Sequence, residues 1–190
     1  MSLRRTIWVG LLLAVVAGVT TFPVMSPPRP YSANYDDPDP VVRAAAVRQA
    51  GRRDVSLIAR ALKDADPDVR LVAVMGLAGQ LGLPAYTAPA LIETLKDPNA
   101  YVRRKATEAL TNIGESAVPA LCQALADPDP RVRVGAVRAL GEMLDPEIAR
   151  DPSPEAVATV TPLVQKLLDD PDPDVRAYAS LALKGIRSNR

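Results

Sequence analysis

Charged side chains recur in this 190-residue chain at one fixed spacing. An Asp stands six residues before an Arg five times: Asp37 and Arg43, Asp64 and Arg70, Asp97 and Arg103, Asp127 and Arg133, Asp170 and Arg176. A carboxylate and a guanidinium can grip a ligand of opposite charge, position an acid–base step, or bind each other. Acid–base and nucleophilic chemistry usually needs a side chain titrating near neutrality, and the chain has no His. That removes the usual general base, the Ser–His and Cys–His nucleophiles and the imidazole metal ligands. The acids Glu93, Glu108, Glu115, Glu142 and Glu147 are scattered rather than paired. The Gly76-x-x-Gly79 stretch falls inside an expected helix, so it is no phosphate loop. The single Cys122, between Leu121 and Leu125, reads as a small core residue and permits no internal disulfide. No catalytic residue, cofactor or metal is therefore expected.

The remaining use of the pairs is structural. A catalytic residue is needed once, whereas a brace is needed in every unit of a repeat. The Arg-to-Arg steps are 27, 33, 30 and 43 residues, the period of a helical array. The fullest copy is Asp-Pro-Asp-Pro-Arg-Val-Arg, Asp127 to Arg133, and a Val precedes the Arg in all five copies.

The elements that carry these residues follow from the flanking pattern. The third residue of each copy, Asp39, Asp66, Asn99, Asp129 or Asp172, is a good helix N-cap. Pro40, Pro67, Pro130 and Pro173 suit a first helical position, which Ala100 takes in the third copy. Four residues after the Val comes Ala46, Ala73, Ala106, Ala136 or Ala179, and eight after it Ala50, Leu77, Leu110, Leu140 or Leu183. Offsets of 0, 4 and 8 form one buried helical stripe. By the same count Ala44 falls on the open face of the first helix. A second apolar run precedes each later corner, with Ile58, Leu91, Leu121 or Val164 six residues before the first Asp. Leu62, Leu95, Leu125 or Leu168 stands two residues before it. Each unit reads as helix, Asp-Pro corner, helix.

With these corners, the Val-Arg in the second helix's first turn and the Ala four residues later, the chain resembles a HEAT-repeat protein of the short bacterial lyase-type kind. The resemblance spans about residues 36–187 and implies an all-α fold. It implies a right-handed superhelical solenoid of about four and a half helix pairs, nine helices in all. It also implies a ladder in which each Arg reaches a neighbouring corner's Asp and backbone carbonyls. Two enzyme families share the repeat. Deoxyhypusine hydroxylases hold irons with His–Glu pairs, for which this chain has no His. Bilin lyases share the Val-Arg corner, without a motif here from which activity can be read.

Composition narrows the partners. Of 23 basic residues, Arg4, Arg5 and Arg29 precede Asp36, and all 22 acidic residues lie from Asp36 onward. A near-neutral array with no Lys/Arg block argues against nucleic acid. The uncharged run from Thr6 to Met25 is long enough to cross a bilayer, and its centre is also the size of a signal-peptide core. Residues 1–25 are expected to form a hydrophobic helix that anchors the chain or is cleaved as a signal. Two Arg before the run and one after it keep the N-terminus in the cytoplasm and place the array on the extracytoplasmic side. Residues 26–35, with Pro27, Pro28 and Pro30, are a stiff spacer, and 36–190 are the repeat domain.

The array opens on a half unit, the helix from Pro40 to about Ala50. Residues 82–87 lengthen a loop or first turn, and 144–160 form the largest insertion, with Ser153-Pro154 as a helix start. In HEAT-like stacks the second helices line the concave side. Positions opposite the buried stripe offer Leu71, Met75 and Val134 as apolar anchors around Arg104, Glu108 and Arg138. Such a mixture suits a protein or peptide partner. The expected function is a membrane-tethered, non-catalytic scaffold. The alternatives are a secreted soluble binder and a lyase-like enzyme or accessory subunit.

Overall fold

The computed structural model describes residues 34–50, 54–78, 84–145, 147–148 and 152–187. The anchor or signal expected at 1–25 lies outside them, as does the spacer up to residue 33. Among the described residues nine α-helices and two 3-10 turns follow in series, with no strand. They are α1 (Pro40–Ala50), α2 (Val55–Ala61), α3 (Pro67–Ala78), α4 (Pro84–Thr94), α5 (Ala100–Ile113), α6 (Val118–Ala124), α7 (Pro130–Leu144), α8 (Pro154–Lys166) and α9 (Pro173–Arg187). The 3-10 turns are Gly114–Ala117 and Leu167–Asp169. None of these helices is long and apolar enough to cross a membrane.

Each corner is built by two short-range side-chain bonds. The first Asp accepts from the backbone N–H two residues on: Asp39 to Asp37 and Asn99 to Asp97, both at 2.8 Å, are examples. The third residue then caps the helix, as Val41 N–H donates to Asp39 and Tyr101 N–H to Asn99, again at 2.8 Å. An Asx turn feeding an N-cap fixes the chain reversal and satisfies donors that a helix start would leave open. This restricts the first corner residue to a short side chain with an accepting oxygen.

The second helices pack in one row, α1 on α3, α3 on α5, α5 on α7 and α7 on α9, with the first helices alongside. The stripe at offsets 0, 4 and 8 is the seam of that row. Val69, Val102, Val132 and Val175 are buried, as are all five Ala and the four Leu. Ile58, Leu91, Leu121 and Val164 close the core from the other row. Gly141 belongs to the same seam, because a Cβ there would lie 2.8 Å from Ala182 Cβ and 3.1 Å from its Cα. Gly114 ends α5 at φ 75°, a conformation that favours Gly.

Two expectations are corrected. Ala44 is buried rather than open, because α3 packs over that side of α1. Leu168 is exposed, and Leu167 takes the buried place, since the 3-10 turn ending α8 rotates the last residues. Of the two readings given for residues 82–87, 84–87 form the first turn of α4, and Pro89 lies inside that helix. Ser153 does start α8, its Oγ accepting from Ala156 N–H at 3.2 Å.

Candidate protein-binding face

The charged pairs lie at the corners, and three of the four junctions between units share one geometry. Arg43 donates from Nε and Nη2 to both oxygens of Asp64 at 2.9 Å. Arg70 does the same to Asp97 at 2.7 and 3.0 Å, and Arg133 to Asp170 at 2.8 Å twice. In each, Nη1 also donates to two carbonyls of the Arg's own corner, as Arg70 does to Asp64 and Ala65. The carboxylates are sheltered, with side-chain exposures of 5–6%. The Arg43 guanidinium holds the Asp64 carboxyl down at about 2, and Arg133 lowers Asp170. Tyr35 donates its hydroxyl to Asp64 at 2.8 Å; burial, then that bond, raises its phenol to about 12.

The third junction departs from the expected ladder. Arg103 donates Nη1 to the Asp97 and Pro98 carbonyls at 2.7 and 3.0 Å but makes no ion pair with Asp127. Asp127 faces Lys96 at 3.6 Å instead. Arg176 reaches the Asp170 and Pro171 carbonyls, and no described corner follows it. Asp37, ahead of the first helix, serves its own Asx turn.

The face opposite the seam is mixed. Met75 is 61% exposed on α3, and Val41 is 70% exposed on α1 beside it. Leu71 and Val134 are only half-buried and rest on the core, so they are less free than the spacing implied. Between α1 and α3 runs a groove of about 540 Å³, walled by Val41, Ala44, Val47, Leu71, Val72 and Met75. Arg48 edges it, as do Asp66 and Asp68. Farther along, Arg104 and Arg138 are not free cations. Arg104 meets Glu108 at 3.3 Å, and Glu108 also accepts from Lys105 Nζ at 2.6 Å, which lowers its carboxyl. Arg138 holds Glu142 at 2.9 Å, and Thr111 donates to the same carboxylate at 3.2 Å. A second recess, of about 180 Å³, lies where Tyr178 and Leu181 of α9 face Ile148 of the insertion.

Sequence spacing places Leu71, Met75, Arg104, Glu108, Val134 and Arg138 along one row, and the structure divides them between two places. Leu71 and Met75 line the apolar groove, whereas Arg104, Val134 and Arg138 line a cleft between α5 and α7. Val41 and Ile148 were missed because Val41 stands ahead of the repeated Val-Arg and Ile148 lies in the insertion, outside the positions that were counted. Cys122 is a half-buried thiol whose pKa burial raises.

A comparison with curated proteins finds no match. Solved structures similar to the chain include the complex of the two phycocyanin lyase subunits of Nostoc, at 22% identity and TM-score 0.48, covering 90% of this chain and 70% of that one. A designed armadillo repeat protein is similar at 21% identity and TM-score 0.42, covering 80% and 79%. An engineered protein is similar at 24% identity and TM-score 0.41, covering 79% and 68%. A family model described as HEAT repeats matches residues 55–140, 88–161 and 119–190. The chain belongs to the HEAT-repeat family.

Proposed function

We propose that this chain is a membrane-tethered, non-catalytic scaffold that holds a protein or peptide along its row of second helices. That row forms the concave side of a right-handed superhelix. Residues 1–25 anchor the chain as a hydrophobic helix, 26–35 space it from the bilayer, and 36–190 work on the extracytoplasmic side. The observation that carries the binding reading is the groove between α1 and α3. Of the large apolar side chains that stand exposed, Val41 at 70% and Met75 at 61% line this one groove together. Exposed apolar anchors rimmed by charge are the usual composition of a docking site. The absence of His from the sequence supports a role without catalysis.

Site-specific photo-crosslinking in the source organism tests this. A photoreactive residue at Met75 should give one discrete adduct, and the same residue at exposed Lys166 on α8 should give none. Equal adducts at both sites, or none at Met75, Arg104 and Leu181 together, would remove the reading. The anchor is tested separately. Residues 1–17 should be found on the mature, membrane-bound protein, and loss of Ile7 to Val19 to a peptidase would favour the secreted alternative.

A further inference from the structure

The third junction of the array has an arginine clamp with its far edge open. At the other three junctions the Nε and Nη2 atoms of Arg43, Arg70 and Arg133 close on the next corner's carboxylate. Arg103 keeps the near half of this arrangement, the two carbonyl bonds from Nη1. Its Nε and Nη2 meet no acceptor among the described residues. Asp127, the residue at the filling position, faces Lys96 Nζ at 3.6 Å instead, while its bond from the Asp129 N–H is the Asx turn that the filled corners also make. Arg176 has the same open edge, but it is exposed and no described corner follows it. Arg103 lies inside the array and lines a cleft of about 220 Å³ between α5 and α7.

The other arginines around that cleft are already served. Arg104 holds Glu108, Arg131 holds Asp129 at 2.6 Å and Arg138 holds Glu142. Only Arg103 among them lacks a carboxylate. Its fork has two parallel donors, the geometry that matches a carboxylate. Ala100 and Pro130, at the starts of α5 and α7, also line the cleft, and helix N-termini favour negative charge. Asp172 and Asp174 stand on its far side. Two carboxylates there oppose a multiply charged anion such as phosphate more strongly than a single carboxylate, and they attract amide N–H donors. Val134 supplies an apolar wall.

We infer that the Arg103 cleft is a recognition site for a Glu side chain of an extended peptide, which completes in trans the clamp that Asp127 leaves open. The inference rests on the binding-face reading in that Arg104, Val134 and Arg138 belong to both, and it names the partner's chemistry there: an acidic residue followed or preceded by an aliphatic one.

The test reads the arginine Nε–H resonances by ¹H–¹⁵N NMR at low salt, with the capped tripeptide acetyl-Val-Glu-Val-amide as probe. Arg103 should move saturably, at a concentration roughly tenfold below any response at Arg176, the equivalent of one sheltered charge-assisted bond. Arg43, Arg70 and Arg133, whose forks are filled, should stay still. The Gln tripeptide and inorganic phosphate should leave Arg103 unmoved. Arg103→Lys keeps a cation near the carbonyls but removes the fork, so it should abolish the saturable response in a protein that still melts cooperatively. The inference is overturned if Arg103 tracks Arg176, if Gln or phosphate binds as tightly, or if Arg103 responds to nothing; a shift of Arg103 in Asp127→Asn would show that Asp127 already fills the fork. Because the probe is a tripeptide, saturation at Arg103 without an adduct at Met75 would condemn the wider face and keep this site; an adduct without saturation would do the reverse.

Discussion

Arg133 grips both carboxylate oxygens of Asp170 at 2.8 Å across 37 residues, whereas Arg43 grips Asp64 at 2.9 Å across 21. The same atoms pair at both junctions although one connection contains the 144–160 insertion. Residues 154–160 of the insertion form the first part of α8, which Ser153 caps and which leads back to the corner. A sheltered bidentate pair tolerates little displacement, so the insertion is spliced around the joint and not through it.

The pair should therefore behave as a joint. A double-mutant cycle of Arg133→Gln and Asp170→Asn, read from urea midpoints, should give a coupling of about 1.5–3 kcal/mol. The same cycle on Lys96 and Asp127 should give under about 1 kcal/mol, because that contact is longer and more exposed. Equal couplings would mean that the third junction is no weaker than the others.

Acid should loosen the joints. Asp64 and Asp170 titrate below their usual range because Arg43 and Arg133 bind their charged forms. A carboxylate lowered in the folded state contributes stability that is complete above its unfolded value, near 4. That contribution is lost as pH falls toward the folded value, about 2 for Asp64. Thermal midpoints should accordingly decline between roughly pH 5 and pH 2. In Asp64→Asn the protein should start lower at neutral pH and decline less. A parallel decline in that variant would assign the acid sensitivity elsewhere.

The seam should reject added volume. Ala106 is fully buried between α5 and its neighbours, while Gln49 on α1 is exposed. Ala106→Leu should cost about 1–3 kcal/mol by overpacking, and Gln49→Leu should stay within about 0.5 kcal/mol. Similar denaturation midpoints for the two would misplace the buried face.

Leu71 and Met75 should separate folding from docking. Leu71 leans on the core and Met75 does not. Leu71→Glu should therefore lower the midpoint by more than about 1 kcal/mol, whereas Met75→Glu should leave it nearly unchanged. Loss of the crosslinked partner in Met75→Glu, with stability intact, would tie the groove to binding. Retention of the partner would detach it.

Sequence alone determined the all-α class, the corners, the caps and the identity of the seam, because each is set by residues within one helical turn or two. The Ala at offset 4, from Ala46 to Ala179, states the packing distance before any neighbour is known. Tertiary structure decided what the repeated letters do where units meet. Arg43, Arg70, Arg103 and Arg133 each follow a Val and stand six residues after an Asp, yet one of the four leaves its fork open. Which carboxylate a guanidinium reaches depends on the offset between successive corners, a rigid-body quantity that no single unit encodes. The same holds for Leu71 and Met75, four residues apart on one helix. Spacing put both on the open side, and only the position of the neighbouring helices made one a core contact and the other an exposed anchor.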